Sequence, residues 1–289
     1  MQIKRRHVIY VQGYDPRGLA QYYRMFRTEL RKFLGLYNLK ADITRPELAP
    51  DNARARWTIT TQADDWQTHT TYDFLRWEDV IAKDFTRAPL WVIVHGLITL
   101  ADVIRVGMLF RFFKAHWRFA LFVLYPYVAL IAQCAVAIWL GLTINGLAAT
   151  YLSGGFIPVI AGLIAGAGVL FAMIKWLEPR TYMLYLMTDI VSTRQFARNR
   201  RPDWTARMQL FAQHLADIIR ASDADEAIII GHSSGSFLAV DVLAQALRLD
   251  PDLGRHGPIV RLLTLGGNLP IIGLAPKAQW FRDELKQLA

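Results

Sequence analysis

The chain contains a single cysteine, Cys134, among its 289 residues. It therefore has no intramolecular disulfide and cannot build a metal site from a cysteine cluster. No histidines and carboxylates stand together at the spacing that metal ligands require. From these absences we expect neither a metal ion nor another cofactor.

The N-terminus lacks the apolar core of a signal peptide, since the polar segment Met1–His7 leads directly into a short apolar strand. We therefore expect the chain to start in the cytoplasm. The net charge of +9 and the pI near 9.8 would suit either nucleic acid or an anionic membrane surface. Because no recognisable nucleic-acid module accompanies this charge, membrane lipid is the expected partner and nucleic acid is not.

Charge is absent from two long runs, Phe119 to Leu142 and Phe156 to Ile174. Each run can cross about 30 Å of hydrocarbon as a helix with a rise of about 1.5 Å per residue. The sequence therefore predicts two transmembrane spans, at about 119–142 and 156–176, with a short loop between them. The alternative is a buried hairpin in a soluble core, which is disfavoured because uncharged runs this long are rare inside such a domain.

The basic residues near these runs predict how the spans are oriented. Arg111, Lys114 and Arg118 precede the first span, and Lys175 and Arg180 close the second, while the connecting loop has no lysine or arginine. By the positive-inside rule, both termini and the rest of the chain face the cytoplasm and the loop faces outward. We expect a two-span protein of the inner, or cytoplasmic, membrane.

Two further patterns belong to the membrane segment. Leu90 to Arg118 reads as one amphipathic basic helix at the bilayer surface, with a soluble core helix as the alternative. Gly162 and Gly166 form a G-x-x-x-G motif, which lets two helices approach closely. This motif favours packing of the second span against the first over contact between copies of the chain, and the oligomeric state stays open.

Downstream, the segment Gly231-His232-Ser233-Ser234-Gly235 has the pattern G-x-S-x-G, between a β-branched apolar run and a helical pattern. In such an elbow a serine occupies a tight, strained turn, so its neighbours must be nearly free of side chains. The following helix points its N-terminal N–H groups towards the place where an oxyanion would form. The pattern predicts Ser233 as a nucleophile, and the alternative is an ordinary glycine-rich turn between strand and helix.

The first strand, His7 to Val11, also ends in a glycine-containing loop, Gln12 to Gly18, before an amphipathic helix over Leu19–Leu36. A plain turn with a helix entry is the alternative to a functional loop here. A phosphate-binding loop fits less well, because no third glycine or Gly-Lys-Ser/Thr partner follows.

The pattern around these two strands predicts an α/β fold with a mostly parallel sheet and right-handed crossovers. We expect further strands at Leu39–Thr44 and Ile259–Leu265, and a polar hairpin of Arg56–Gln62 with His69–Leu75. The expected helices include Trp77–Phe85, Thr181–Asn199, Trp204–Arg220, Phe237–Leu249 and Ala278–Leu288.

Taken together, the strand and loop of Val8–Gly18, the segment Phe119–Trp176 and the motif Gly231–Gly235 resemble the α/β-hydrolase, lipase-like superfamily. They are similar in particular to uncharacterised bacterial lipase-like membrane proteins, in which the hydrolase fold carries an inserted transmembrane hairpin. The resemblance implies hydrolase halves at 1–89 and 181–289 around a membrane segment at 90–180.

The same resemblance implies roles for three residues. Ser233 matches the nucleophile of that superfamily. The backbone N–H of Ser234, the residue after it, and the backbone N–H of Tyr14, in the loop after the early strand, match the two donors of the oxyanion hole.

The expected general base and acid are missing from the sequence. In this superfamily an Asp or Glu and then a His follow the nucleophile, yet His256 is the only histidine after Ser233. His256, Asp250 and Asp252 stand in a helix-to-strand loop, at the edge of a parallel sheet opposite to its active site. We therefore reject them as a triad, expect His232 to pack or to hydrogen-bond beside the elbow, and assign no base.

Only one strand is expected after the elbow, whereas this fold normally has more. The predicted hydrolase sheet is therefore C-terminally incomplete. The sequence favours a membrane-anchored serine ester hydrolase that attacks a small or lipid-derived acyl ester through Ser233. The alternative is a catalytically inactive pseudo-hydrolase that acts as a membrane-bound binding or scaffold protein. A lipid-handling or transport accessory is weaker, because two spans without intramembrane charge offer no solute pathway of their own.

Overall fold

A computed structural model of the chain describes residues 3–151 and 155–289 and divides into two compact units. The first unit comprises the chain up to Thr86 and from Ser192 to Ala289, and the second comprises Arg87–Val191. The predicted membrane segment 90–180 falls inside the second unit. That unit also takes in the chain up to Val191, which the sequence had suggested as hydrolase.

The first unit is built on a seven-stranded sheet. Its strands are β1 (Arg5–Val11), β2 (Lys40–Ile43), β3 (Glu47–Leu48), β4 (Arg54–Gln62), β5 (Gln67–Leu75), β6 (Glu226–His232) and β7 (Ile259–Leu265). The strand order is β2-β4-β5-β1-β6-β7, and β3 pairs with β4. Of these described strands, β4 runs against the other six, so the predicted α/β class and mostly parallel sheet are confirmed.

The register brings the carboxyl ends of four parallel strands to one edge of the sheet. Val11 at the end of β1 pairs with Leu75 of β5 and with Gly231 of β6. On the other side of β6, His232 pairs with Leu265 at the end of β7. The loops that follow these four strands therefore meet at this edge, where ligands of open parallel sheets usually bind.

The described helices follow the sequence expectations over most of the chain. They are α1 (Leu19–Tyr37), α2 (Glu78–Asp84), α3 (Pro89–Arg105), α4 (Met108–Tyr151), α5 (Ile157–Thr181), α6 (Met183–Phe196), α7 (Pro202–Arg220), α8 (Gly235–Leu249), α9 (Leu269–Gly273) and α10 (Gln279–Leu288). α8 is buried along most of its length and packs against β1, β6 and β7. α1 packs through Tyr22, Tyr23 and Phe26 onto a core of Trp57 and Phe74.

In the second unit, α4 and α5 are long and apolar enough to cross a membrane, with mean hydropathies of 2.1 and 2.4 in their most apolar windows. A third candidate arises only if α2 and α3 count together as one broken span. The predicted loop at 143–155 is helical as far as Tyr151, so α4 extends beyond the predicted end of the first span. Residues 152–154 of that loop lie outside the described part.

The single helix predicted over Leu90–Arg118 is wrong. α3 ends at Arg105, and Gly107 follows with a φ of +70°, a left-handed conformation that terminates helices. The N–H groups of Val106 and Gly107 donate to the carbonyls of Asp102 and Ile104, which closes the last turn of α3. A second interruption lies at the start of α4.

His116 interrupts α4 with an extended backbone, φ −162° and ψ 102°. Its Nδ1 accepts a hydrogen bond from the N–H of Phe119 at 3.3 Å, as an N-cap residue does. The long part of α4 therefore begins at Trp117, close to the predicted start of the span at residue 119. The basic residues Arg111 and Lys114 lie on the short helix before this interruption.

The G-x-x-x-G motif packs α5 against α4 within the hairpin. A Cβ on Gly162 would lie 2.6 Å from the carbonyl oxygen of Gly141, and a Cβ on Gly141 would lie 2.8 Å from that of Gly162. A Cβ on Gly166 would lie 3.1 Å from the carbonyl oxygen of Ala137. Because only hydrogen fits at the Gly141–Gly162 contact, the motif brings these two helix backbones together, as favoured from sequence.

Candidate functional site

Ser233 occupies the turn between the end of β6 at His232 and the start of α8 at Gly235. Its φ is +54°, in the left-handed region that costs a non-glycine residue roughly 1–3 kcal/mol. The Ser233 N–H donates to the carbonyl of Leu265 at 2.8 Å, which ties the turn to the end of β7. Ser233 itself is half-buried.

The two glycines of the motif are required by close backbone contacts. A Cβ on Gly231 would lie 2.5 Å from the carbonyl oxygen of Gly235 and 2.6 Å from the Cα of Ser236. A Cβ on Gly235 would collide with the carbonyl oxygen of Val11 and lie 2.6 Å from that of Gln12. The Gly235 contacts pack the elbow onto the end of β1. Together the contacts explain why the positions two residues before and after Ser233 carry no side chain.

Ser234 stands at the N-terminus of α8 and is 1 % exposed. The positive end of the helix dipole lies here, beside Ser233. The next hydroxyl, Ser236 Oγ, donates to the carbonyl of Ser233 at 2.6 Å and accepts from the N–H of Asn268 at 2.9 Å. These two bonds fix the serine turn to the loop after β7.

The loop after β1 lies directly against the elbow. A Cβ on Gly13 would be 3.0 Å from the carbonyl oxygen of His232 and 3.2 Å from the Cβ of Ser233. The backbone of the next residue, Tyr14, therefore lies near the nucleophile candidate. The structure thus brings together the three residues that the resemblance implies: Ser233, Ser234 and Tyr14.

The Tyr14 side chain is a buried anchor for this loop. It is 2 % exposed, and its hydroxyl donates to Asp84 Oδ2 at 2.7 Å. The same oxygen accepts from Ser192 Oγ at 3.0 Å and from Arg201 Nη1 at 2.8 Å. Since its hydroxyl is engaged there, Tyr14 presents only its backbone to the elbow.

Asp15 provides a second anchor that the sequence did not reveal. Its carboxylate accepts from the backbone N–H of Arg17 at 2.9 Å, from the Arg17 guanidinium at 2.7 Å and from the Tyr22 hydroxyl at 3.3 Å. Burial alone would raise the pKa of Asp15, but the Arg17 bonds hold that pKa below its ordinary value. The ionised side chain therefore supports the loop conformation at neutral pH.

Asn268 is the functional candidate that sequence reasoning missed. Its Nδ2 lies 3.4 Å from Ser233 Oγ and 3.5 Å from Ser234 Oγ, and the residue is 9 % exposed. It follows β7 by a two-glycine turn, at the same sheet edge as the elbow. The sequence signal for Asn268 was its position directly after a predicted strand, because the loops that follow neighbouring parallel strands converge.

Among the described residues, no imidazole hydrogen-bonds to Ser233. His232 is exposed, and its Nδ1 lies 3.5 Å from the Cβ position of Gly13, beside the elbow as expected. His256 precedes Ile259, at the end of β7 opposite to Leu265, so the rejected triad lies away from Ser233.

Two other histidines pair with carboxylates elsewhere. His7 Nε2 lies 2.6 Å from Asp73 Oδ2, and His7 Nδ1 lies 3.3 Å from Ser222 Oγ. His7 pairs in register with Ala227, four residues before the level of Gly231, so this group stands at the other end of the sheet. His214 Nε2 lies 2.7 Å from Asp51 Oδ2. In the described part of the chain, no three His, Cys, Asp or Glu side chains group to hold a metal ion.

Comparison of the chain with known protein families, with curated proteins and with solved structures finds no match. We therefore take the function from the geometry of the chain itself.

Proposed function

We propose that the protein is a membrane-anchored serine hydrolase of the esterase or lipase type, with an α/β-hydrolase-like sheet. The observation that carries the proposal is the left-handed φ of +54° at Ser233, between two glycines that admit no Cβ. A strained serine at the end of a parallel strand that pairs on both sides, followed at once by a helix, is the arrangement of a nucleophile elbow.

The proposed reaction is acyl transfer. Ser233 Oγ attacks the ester carbonyl carbon, the alcohol leaves with a proton, and water then cleaves the acyl-serine. The backbone N–H groups of Ser234 and Tyr14 stabilise the oxyanion, each worth up to several kcal/mol in the transition state. The amide of Asn268 donates to Oγ and so orients it, but an NH₂ group cannot accept the serine proton.

The membrane hairpin supports a lipid-derived ester as the substrate, because α4 and α5 would keep the site near a bilayer.

We propose that α4 and α5 cross the inner membrane with both termini and the sheet in the cytoplasm, since basic residues flank both spans. A thiol-reactive probe that does not cross the membrane tests this orientation in a Cys134→Ala background. We expect labelling of Ala149→Cys from outside and of Asp223→Cys only after lysis; the reverse pattern would invert the topology.

The activity is tested with a fluorophosphonate probe on the full chain in membranes. We expect the wild type to be labelled and Ser233→Ala to lose the label. Ser222→Ala is the matched control, because Ser222 contacts His7, a histidine paired with the carboxylate of Asp73. The Ser222→Ala variant should stay labelled. Equal labelling of wild type and Ser233→Ala would rule out Ser233 as the nucleophile.

A second candidate is a catalytically inactive pseudo-hydrolase that binds or scaffolds partners at the membrane. The observation that favours it is that Asn268, rather than an imidazole, lies beside Ser233 Oγ among the described residues. This function predicts no probe labelling and no ester hydrolysis in proteoliposomes, with identical results for wild type and Ser233→Ala. Ester hydrolysis that disappears with Ser233→Ala would exclude it.

A further inference from the structure

A polar cavity of about 550 Å³ lies between α7, α8 and α10, apart from the elbow. Two of its lining residues are acidic, Asp241 of α8 and Glu284 of α10, and both are buried, at 4 % and 5 % exposure. Asp241 stands six residues beyond Gly235, about 9 Å along α8, so the cavity is not part of the Ser233 site.

The partners of the two carboxyls are unequal. Glu284 Oε1 accepts from Arg248 Nη2 at 2.8 Å, and Asp241 Oδ1 accepts from Gln245 Nε2 at 2.6 Å. Glu284 Oε2 is buried and receives no nitrogen or hydroxyl donor in the described part of the chain, while the Asp241 carboxyl lies within hydrogen-bonding reach of Glu284. A buried carboxylate oxygen without a donor is costly, so a proton or a positively charged ligand is needed at this point.

Burial, and then the neighbouring Asp241, raise the pKa of Glu284 to about 8, and burial raises the pKa of Asp241. At neutral pH the two carboxyls therefore keep a proton between them. The charged group that faces them from the packed helices is Arg248 of α8, and the α7 residues that line the cavity are uncharged, namely Thr205, Gln209 and Gln213.

We propose that this cavity binds a small organic ammonium ion, whose charged group replaces the proton at the Asp241–Glu284 pair. The charge balance selects a monovalent cation. Two ionised carboxylates and Arg248 carry one net negative charge, which a single ammonium neutralises and a divalent metal ion would overcompensate.

The rest of the cavity suits the organic part of such a ligand. Phe196 and Trp280 line one part of it, with ring centroids 5.5 Å apart in an edge-on arrangement, and aromatic faces attract ammonium groups. Asn199 and the glutamines of α7 can bond polar substituents.

The test is calorimetric binding of n-butylammonium to the full chain in nanodiscs, with empty nanodiscs as the reference and n-butanol as the uncharged probe. We expect saturable binding of the ammonium and none of the alcohol. Because binding displaces a proton, affinity should rise about tenfold per pH unit from pH 6 to 7 and level off above pH 8.

Glu284→Gln keeps the size of the protonated acid, so it should fold, lose at least tenfold in affinity and lose the pH dependence. Asp283→Asn is the matched control on the exposed face of α10 and should bind as the wild type does. The proposal is overturned if no ammonium binds between pH 6 and 9, if Glu284→Gln binds equally well, or if n-butanol binds as tightly.

Discussion

At the scale of single residues, the elbow keeps Ser233 strained through contacts that its neighbours impose. The turn is fixed by the bond from the Ser233 N–H to Leu265 and by the bonds of the Ser236 hydroxyl, while Gly231 and Gly235 let the helix approach β1. Backbone strain of this kind persists only where several independent contacts hold the residue in the strained conformation. The same strain makes the stability of the unit sensitive to what occupies position 233.

The first prediction compares two substitutions of Ser233. Both Ser233→Gly and Ser233→Ala remove the hydroxyl, but only glycine adopts a φ of +54° without steric cost. We expect the glycine variant to be more stable than the alanine variant by about 1 kcal/mol. Denaturant unfolding in detergent, followed by tryptophan fluorescence, measures the difference. Equal stabilities would show that the turn is unstrained.

The second prediction concerns Gly235, whose Cβ would collide with the carbonyl oxygens of Val11 and Gln12. Because backbone atoms cannot move aside cheaply, Gly235→Ala should destabilise the first unit by roughly 3 kcal/mol. Gly35→Ala is the control, since Gly35 lies in α1 with nothing near its Cβ position, and it should be neutral or slightly stabilising. Similar unfolding midpoints for the two variants would contradict the close packing at the elbow.

The third prediction separates the side chain of Tyr14 from its backbone. Tyr14→Phe removes the buried hydrogen bond to Asp84, so we expect a loss of about 1–3 kcal/mol of stability. The backbone N–H proposed for the oxyanion is retained, so fluorophosphonate labelling of Ser233 should change by less than about threefold. A loss of labelling with intact folding would assign a catalytic role to the Tyr14 hydroxyl instead.

At the scale of elements, the hairpin of α4 and α5 is held by contact between glycine backbones. Without a hydrophobic driving force between helices in lipid, close packing of small residues supplies much of the association energy. The contact between Gly141 and Gly162 is the closest approach of this kind among the described glycines of the hairpin. We therefore expect a single methyl group added at this contact to weaken the packing of α4 against α5.

The fourth prediction tests that contact with one methyl group. Gly162→Ala places a Cβ 2.6 Å from the Gly141 carbonyl oxygen, so the helices must separate and the melting temperature of the chain in detergent should fall. Gly168→Ala is the control on the same helix, because nothing lies within 4 Å of its Cβ position, and it should leave the melting temperature unchanged. A drop shared by both variants would instead indicate a general sensitivity of α5.

At the scale of the whole molecule, the chain forms two units of different character, and the sequence of the second is inserted between the two parts of the first. The first is an α/β sheet unit that carries the serine elbow and the acidic cavity, and the second is a helical unit that contains both candidate spans. The buried pair Asp241–Glu284 makes the stability of the first unit depend on pH.

The fifth prediction gives the sign of that dependence. The pKa of Glu284 is raised from 4.5 to about 8 in the folded chain, so the folded state holds a proton that the unfolded state releases. This stability is complete below about pH 4.5 and is lost as the pH rises to about 8, and the part of the loss that falls between pH 6 and pH 9 is on the order of 3 kcal/mol. Denaturant unfolding at pH 6 and pH 9 should show the loss in the wild type and in Asp283→Asn. The loss should be absent in Glu284→Gln, and its persistence there would place the titrating group elsewhere.

The order of the elements follows from local patterns in the sequence. Strand β7 at Ile259–Leu265 was predicted with its observed bounds, because a short, mostly apolar run between turn residues is a local signal. The break between α3 and α4 was missed, since Gly107 and His116 lie within a pattern whose apolar period continues across them. Helix ends are set by backbone conformations that periodicity does not record.

The candidate site was likewise predicted from the sequence only in part. The sequence by itself determined Ser233 as the nucleophile candidate, because glycines on both sides of a serine after a strand are a local requirement of the elbow. Only the tertiary structure placed Gly13 against Ser233 and brought Asn268 to its hydroxyl. These positions depend on which strands pair and in which register, and strand pairing joins residues far apart in the chain.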